Sequence, residues 1–121
     1  MRPVRGFLRL AGLAAWTASL FAVLTAGRAV CAVRRASPAR LKSRLMRIWS
    51  RGVCALLGIR VTVQGKPPAP PFLLVANHLS YVDIVILASR AEGVFVARGD
   101  LSGRPILGRL SRSVDTLYVD R

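Results

Sequence analysis

Phe72-Leu73-Leu74-Val75-Ala76-Asn77-His78-Leu79-Ser80-Tyr81-Val82-Asp83 runs from an apolar stretch, through a short polar interval holding the chain's single histidine, into a second apolar run that starts at Ile84. The first run reads as a strand and the second as a helix. Ser80-x-x-Asp83 ahead of the apolar residues 84–88 has the spacing of a capping box, with Ser80 as N-cap and Asp83 at N3. Residues five apart on one continuous helix lie about 140° round its axis and cannot meet. His78 and Asp83 can therefore pair only if the histidine sits in the loop before the helix. There a carboxylate accepts the proton on one ring nitrogen, fixes the tautomer and leaves the other nitrogen as a base toward a substrate hydroxyl. The plainer reading is that Ser80 and Asp83 only cap a helix and His78 is an ordinary loop residue. Spacing alone leaves both open.

Outward from this stretch the pattern alternates. Residues 59–64 read as a strand ended by Gly65-Lys66-Pro67-Pro68-Ala69-Pro70-Pro71, a stiff turn with few donors that launches the strand 72–76. A buried helix is expected over 81–91, stopped before Gly93. A strand is expected over 94–98, a short helix over 104–111 and a fourth strand over 116–119. Strands alternating with helices argue for an α/β fold with a largely buried sheet. No internal repeat is present.

The front of the chain has a different character. Residues 10–27, LAGLAAWTASLFAVLTAG, are eighteen positions without a charge, about the minimum for crossing the hydrocarbon core. Arg2, Arg5 and Arg9 precede them; Arg28, Arg34, Arg35, Arg40, Lys42 and Arg44 follow, which by the positive-inside rule favours the following segment on the cytoplasmic side. A cleaved signal peptide has the same layout. Over residues 40–57, Leu41, Leu45, Ile48, Trp49, Val53 and Leu56 recur at helical spacing, while Arg40, Arg44, Arg47 and Arg51 form a separate cationic stripe. Two readings fit: an interfacial helix whose arginines meet lipid phosphates and whose Trp49 sits at the headgroup boundary, or a helix packed on the domain with a solvated basic face.

The net charge of +14 belongs to this front half. Residues 1–66 hold thirteen Lys or Arg and no acid, against six and five in residues 67–121. Such a surface suits an anionic membrane or a nucleic acid. The interleaved apolar residues and the absence of a nucleic-acid-binding motif favour the membrane and argue against nucleic acid. Cys31 and Cys54 are too few for a disulfide framework and lack the neighbours of a metal site; both read as reduced packing residues.

Several segments resemble the glycerolipid acyltransferases, the family of the lysophosphatidic acid acyltransferases. FLLVANHLSYVDIVIL, from Phe72, is similar to the family's first motif, Asn-His-x-x-x-x-Asp following a strand. GVFVARGDL, from Gly93, is similar to its Phe-Val-Ala-Lys/Arg-x-Glu/Asp-Leu strand, and Pro105 and Gly108 fall at its Pro-x-x-Gly element. DTLYVDR, from Asp115, is similar to its second motif, Gly-x-x-(Phe/Tyr)-(Ile/Val)-x-Arg, with Asp115 at the glycine position. LLGIRVTVQGKPP resembles the lead-in strand, so the likeness covers residues 41–121. The chain stops before the family's Phe-Pro-Glu-Gly-Thr motif and later proline motif. The expected organisation is thus a membrane helix and an amphipathic helix over 1–57, resembling the platform of bacterial members, then a truncated mixed α/β acyltransferase domain over 58–121.

What the resemblance implies is direct acyl transfer in phospholipid synthesis. His78, oriented by Asp83, deprotonates a hydroxyl of 1-acylglycerol-3-phosphate, which attacks the thioester of acyl-CoA or acyl carrier protein to give phosphatidic acid. Arg121 pairs with the acceptor phosphate through its planar fork. Arg98 is a second candidate for that task, and Asn77 and Ser80 join the substrate-binding set. No metal and no cofactor beyond the acyl carrier are implied. The expected partners are membrane lipids, the acyl donor and a lysophospholipid acceptor, at a bacterial inner membrane with the catalytic part facing the cytoplasm. Two alternatives accompany this: acylation of a related acceptor such as a lyso-ornithine lipid, and a catalytically inert membrane-binding fragment.

Overall fold

A computed structural model describes residues 2–66, 68–69, 71–77, 80–105 and 107–119. Three helices form one layer: α1 (Arg2–Val33), α2 (Ala39–Leu57) and α3 (Tyr81–Arg90). A smaller unit follows, with β1 (Val96–Arg98), a 3-10 turn (Gly99–Gly103), α4 (Leu107–Ser113) and β2 (Leu117–Val119).

Helix α1 outruns the charge-free window at both ends, because arginine, alanine and leucine are all good helix formers and a charge ends apolarity without ending a helix. Its stop is a backbone device. Arg35 takes a left-handed φ of 52°, its N–H donates to Ala32 O at 3.1 Å, and the Ala36 N–H donates to Cys31 O at 2.9 Å. This is a Schellman closure with a non-glycine at its left-handed position. Helix α2 ends the same way at Gly58, φ 74°, with Gly58 N–H to Ala55 O and Ile59 N–H to Cys54 O.

Helices α1 and α2 pack antiparallel along much of α2. The facing pairs are Gly12 with Leu56, Trp16 with Gly52, and Gly27 with Leu41. Two tryptophans lock the register reciprocally. The Trp16 indole N–H donates to Trp49 O at 3.1 Å, and the Trp49 indole N–H donates to Thr17 Oγ1 at 3.0 Å. Thr17 Oγ1 in turn donates to Leu13 O at 2.8 Å. Each such bond contributes about 0.5–1.5 kcal/mol net. Trp49 is therefore part of the hairpin's own register.

The opposite side of α2 receives α3 across small residues. Ser50, Val53 and Cys54 of α2 and Ala88 and Ser89 of α3 are buried. Ser89 Oγ donates to Ile86 O at 2.6 Å, whereas Ser50 Oγ, wholly buried, has no hydrogen-bond partner among the described residues. Two arginines of the cationic stripe fasten this joint: Arg47 pairs with Glu92 just beyond α3, and Arg51 Nε donates to Ser89 O at 3.1 Å. Cations at a helix C-terminus are favourably placed for its free carbonyls. The stripe thus divides by contact: Arg47 and Arg51 hold α3, Arg51 while still exposed, and Arg40 and Arg44 stand exposed beside them.

β1 and β2 pair in parallel, Val96 with Leu117, Ala97 with Tyr118 and Arg98 with Val119. The 3-10 turn and α4 supply the crossover that a parallel pair requires. Tyr118 Oη meets Ser111 Oγ at 2.6 Å, tying β2 to α4.

The α/β expectation holds in part and is corrected in three respects. Among the described residues the sheet has two strands; residues 59–64 and 72–76 carry no ladder. An apolar, strand-like sequence makes a strand only when another strand satisfies its backbone, and here Leu73 and Val75 stand 83% and 81% exposed. The sheet is not largely buried either, since Val96, Leu117 and Val119 are exposed. Nor is α3 buried throughout: Tyr81 and Val82 are exposed at its first turn, because among the described elements it packs chiefly on α2. Helix α4 also starts and ends slightly later than the 104–111 expected.

A Cβ added at Gly52 would overlap the Trp16 indole. Gly52→Ala should therefore cost about 1–3 kcal/mol through overpacking, read as a lowered unfolding midpoint in detergent. Gly6→Ala meets open space and is the matched control.

Candidate functional site

The helix α3 start is built as the spacing predicts. Ser80 is the N-cap with extended backbone, φ −149° and ψ 153°, and Asp83 is N3. The Val82 N–H donates to Ser80 Oγ at 3.1 Å, and Asp83 Oδ2 accepts from the Ser80 N–H at 2.9 Å. These bonds satisfy donors that a helix N-terminus otherwise leaves unpaired. The carboxylate is thereby turned back toward the N-cap rather than out along the helix, and the helix dipole favours its negative charge there. Asn77 is exposed, in irregular backbone just ahead of the cap.

The remaining expected residues are placed unevenly. His78 and Arg121 lie outside the described residues, and so does the side chain of Arg98, whose backbone stands in β1 opposite Val119. Ser80 and Asp83 are brought together; the structure does not bear on the pairing of His78 with Asp83, nor on a joint site with Arg121. Among the described residues no group of His, Cys, Asp and Glu gathers as a metal site would, and Cys31 and Cys54 are free thiols. An open apolar groove of about 570 Å³ lies elsewhere, lined by Gly12, Ala15, Trp16, Ser19, Gly52, Ala55 and Leu56. None of these belongs to the motif, so the groove follows from helix packing and not from the chemistry of residues 77–83.

One arrangement was not foreseen. Asp115, at the position where the second motif has glycine, takes a left-handed φ of 58°. Its N–H donates to Arg112 O at 3.3 Å and the Thr116 N–H donates to Ser111 O at 3.2 Å, so it closes α4 as Arg35 closes α1. Glycine suits that position because no Cβ opposes a positive φ; aspartate is among the few residues that tolerate it. Its carboxylate lies 2.5 Å from Lys42 Nζ of α2. The substitution of aspartate for glycine was the one available signal.

Comparison with known proteins agrees with the motif. Residues 59–121, just over half of the chain, match the Acyltransferase family model. A lyso-ornithine lipid O-acyltransferase of Rhizobium meliloti (strain 1021) is 46% identical over 78 residues, covering 64% of this chain and 27% of that protein. The enzyme of the same name from Pseudomonas aeruginosa is 37% identical over 81 residues, 67% of this chain and 31% of that protein. A 1-acyl-sn-glycerol-3-phosphate acyltransferase of Neisseria meningitidis serogroup B is 32% identical over 73 residues, 59% of this chain and 29% of that protein. The chain thus spans under a third of the length of these relatives. No solved structure matches.

The cap can be tested directly. Ser80→Ala should destabilise by about 1 kcal/mol and Ser80→Gly by only a few tenths, in denaturant unfolding. With the cap formed, the apolar run behind it in a helix and the parallel pair following in the family's order, the chain belongs to the glycerolipid acyltransferase family.

Proposed function

We propose that the chain serves a lysolipid O-acyltransferase, with His78 as general base, Asp83 as the carboxylate that orients it, and Arg121 as the contact for an anionic group of the acceptor. The observation that carries this is the capping box. It holds Asp83 at the N-terminus of α3, turned back toward the N-cap, and in the sequence His78 comes two residues before that cap. A base so oriented takes the proton of the acceptor hydroxyl as that oxygen attacks the acyl thioester carbonyl; the ester C–O bond forms, the thioester C–S bond breaks, and the imidazolium returns the proton to the departing thiolate, which leaves as the carrier's free thiol. Asn77 and Ser80 flank His78 in the motif and belong to the substrate side of the site; Arg98 is the second candidate for the acceptor's charge. Acyl-CoA or acyl carrier protein is the donor.

Two acceptors follow from the relatives. Lyso-ornithine lipid is favoured by the names of the two relatives at 46% and 37% identity, and 1-acylglycerol-3-phosphate by the Neisseria enzyme. Thiol release from acyl-CoA, measured with membranes expressing the gene product that carries this chain, separates them. His78→Ala should lower the rate with the preferred acceptor by at least about 10²-fold. Equal rates for the wild type and the variant would refute the assignment.

The hairpin supports a membrane seat. α1 is apolar enough to cross a bilayer over Val4–Val33 and is largely unburied there. Yet α2 lies antiparallel beside it, which brings Arg44, Arg47 and Arg51 level with the apolar middle of α1. An arginine at the bilayer centre costs about 2.5–3.5 kcal/mol on insertion scales. The arrangement that avoids this lays the hairpin along one leaflet, α1 toward the acyl chains and the exposed arginines of α2 among headgroups. An active site there acts on a lysolipid without lifting its chain into water, which would cost about 0.8 kcal/mol per methylene. In a Cys31→Ser/Cys54→Ser background, cysteines at Arg5 and Ala36 should be labelled from the same face of sealed vesicles by an impermeant reagent. Labelling from opposite faces would mean that α1 crosses. The catalytic part is assigned to the cytoplasmic face of a bacterial inner membrane, where acyl thioesters are available.

A further inference from the structure

Lys42 is an unusual lysine. It sits on the first turn of α2, is only 7% exposed, and its ammonium is bonded to the carboxylate of Asp115. Asp115 is half exposed at its side chain and occupies a backbone position that glycine fills more easily. A glycine there would close α4 equally well but could not hold Lys42. The aspartate is thus explained by its charge and not by its backbone.

The pair joins two parts of the molecule. Lys42 belongs to the α1–α2 hairpin, whose register is set by Trp16 and Trp49. Asp115 stands at the junction between α4 and β2, two residues before Leu117, and in the sequence Arg121 follows the end of β2 by two residues. Beyond Asp115, β2 is held by its ladder to β1 and by the Tyr118 hydroxyl on Ser111, both within its own unit. The Lys42 contact ties the start of β2 to the helices.

We infer that Lys42 and Asp115 are positioning residues that register β2 against the hairpin, so that affinity for the acceptor's anionic headgroup depends on how α2 is seated at the membrane. This rests on the proposed role of Arg121. Neither residue touches substrate; they act through the placement of β2. Arg112, the nearest cation on α4, is turned to Ser102 O at 2.5 Å, and Arg47 on α2 is paired with Glu92.

The test uses the purified gene product in vesicles of phosphatidylethanolamine and phosphatidylglycerol, with lyso-ornithine lipid and 1-acylglycerol-3-phosphate as acceptors. Asp115→Gly is the informative variant, since it relaxes the backbone while removing the charge. It should raise the acceptor KM about tenfold with kcat changed by less than about twofold, the pattern of lost acceptor binding without a lost chemical step. Lys42→Met should do the same, Lys42→Arg should retain the wild-type KM, and the double variant Lys42→Met/Asp115→Gly should be no worse than either single one. A purely structural role would instead lower the unfolding midpoint and leave KM alone. Unchanged KM in both single variants, with an active wild type, overturns the inference and leaves the acyltransferase reading standing. If the wild type acylates neither acceptor, that reading fails, and hydrogen exchange decides the coupling by itself. Amides of residues 114–119 should gain protection on vesicle addition in the wild type and not in Asp115→Gly; equal protection in both overturns it.

Discussion

The reciprocal clasp of Trp16 and Trp49 is the interaction on which the rest of the structure hangs. Each indole is large and apolar with one donor that must be satisfied when half-buried, and each finds its partner on the opposite helix. The helix surfaces meet closely because Gly52 and Gly27 leave room for Trp16 and Leu41. Once α2 is fixed against α1, its other faces are fixed too, one taking α3 through Ser50, Val53 and Cys54, another presenting Lys42 to Asp115. Helix α2 is therefore the hub. It has the amphipathic pattern of a surface helix but is engaged on several sides.

The basic charge of the front half looks uniform in sequence and is differentiated in space. Arg47 and Arg51 secure the end of α3, Lys42 secures the start of β2, and Arg40 and Arg44 remain exposed. Charges that share a helix stripe are distinguished by what lies opposite each of them. Fastening α3 and β2 to the same helix also relates the two motif segments to one another. The α3 N-terminus carries Ser80 and Asp83, and in the sequence Arg121 follows the end of β2 by two residues. Under the proposed function, that common attachment would let the base and the anion contact be presented together to an acceptor whose chain stays in the bilayer.

The same local device closes three helices at different cost. Gly58 adopts its left-handed φ freely, while Arg35 and Asp115 adopt it against their Cβ. For Asp115 the compensation is visible in the ion pair with Lys42. For Arg35 the described residues show the closure and no side-chain partner that explains the choice of arginine.

Much of this was legible in the residues. The apolar window and the 3.6-residue periodicity determined α1 and α2, and the Ser80-x-x-Asp83 spacing determined the cap of α3, because helices and their caps are made by contacts a few residues apart. Strands were legible only where a partner exists. Val96–Arg98 and Leu117–Val119 pair, whereas residues 59–64, which alternate, and 72–76, a continuous apolar run, do not, since a strand's hydrogen bonds belong to another segment. Which arginines bind protein, the burial of Lys42 and the reason for an aspartate in place of a glycine all depend on residues as far apart as 42 and 115. Only the tertiary structure brings such positions together, so only it could decide them.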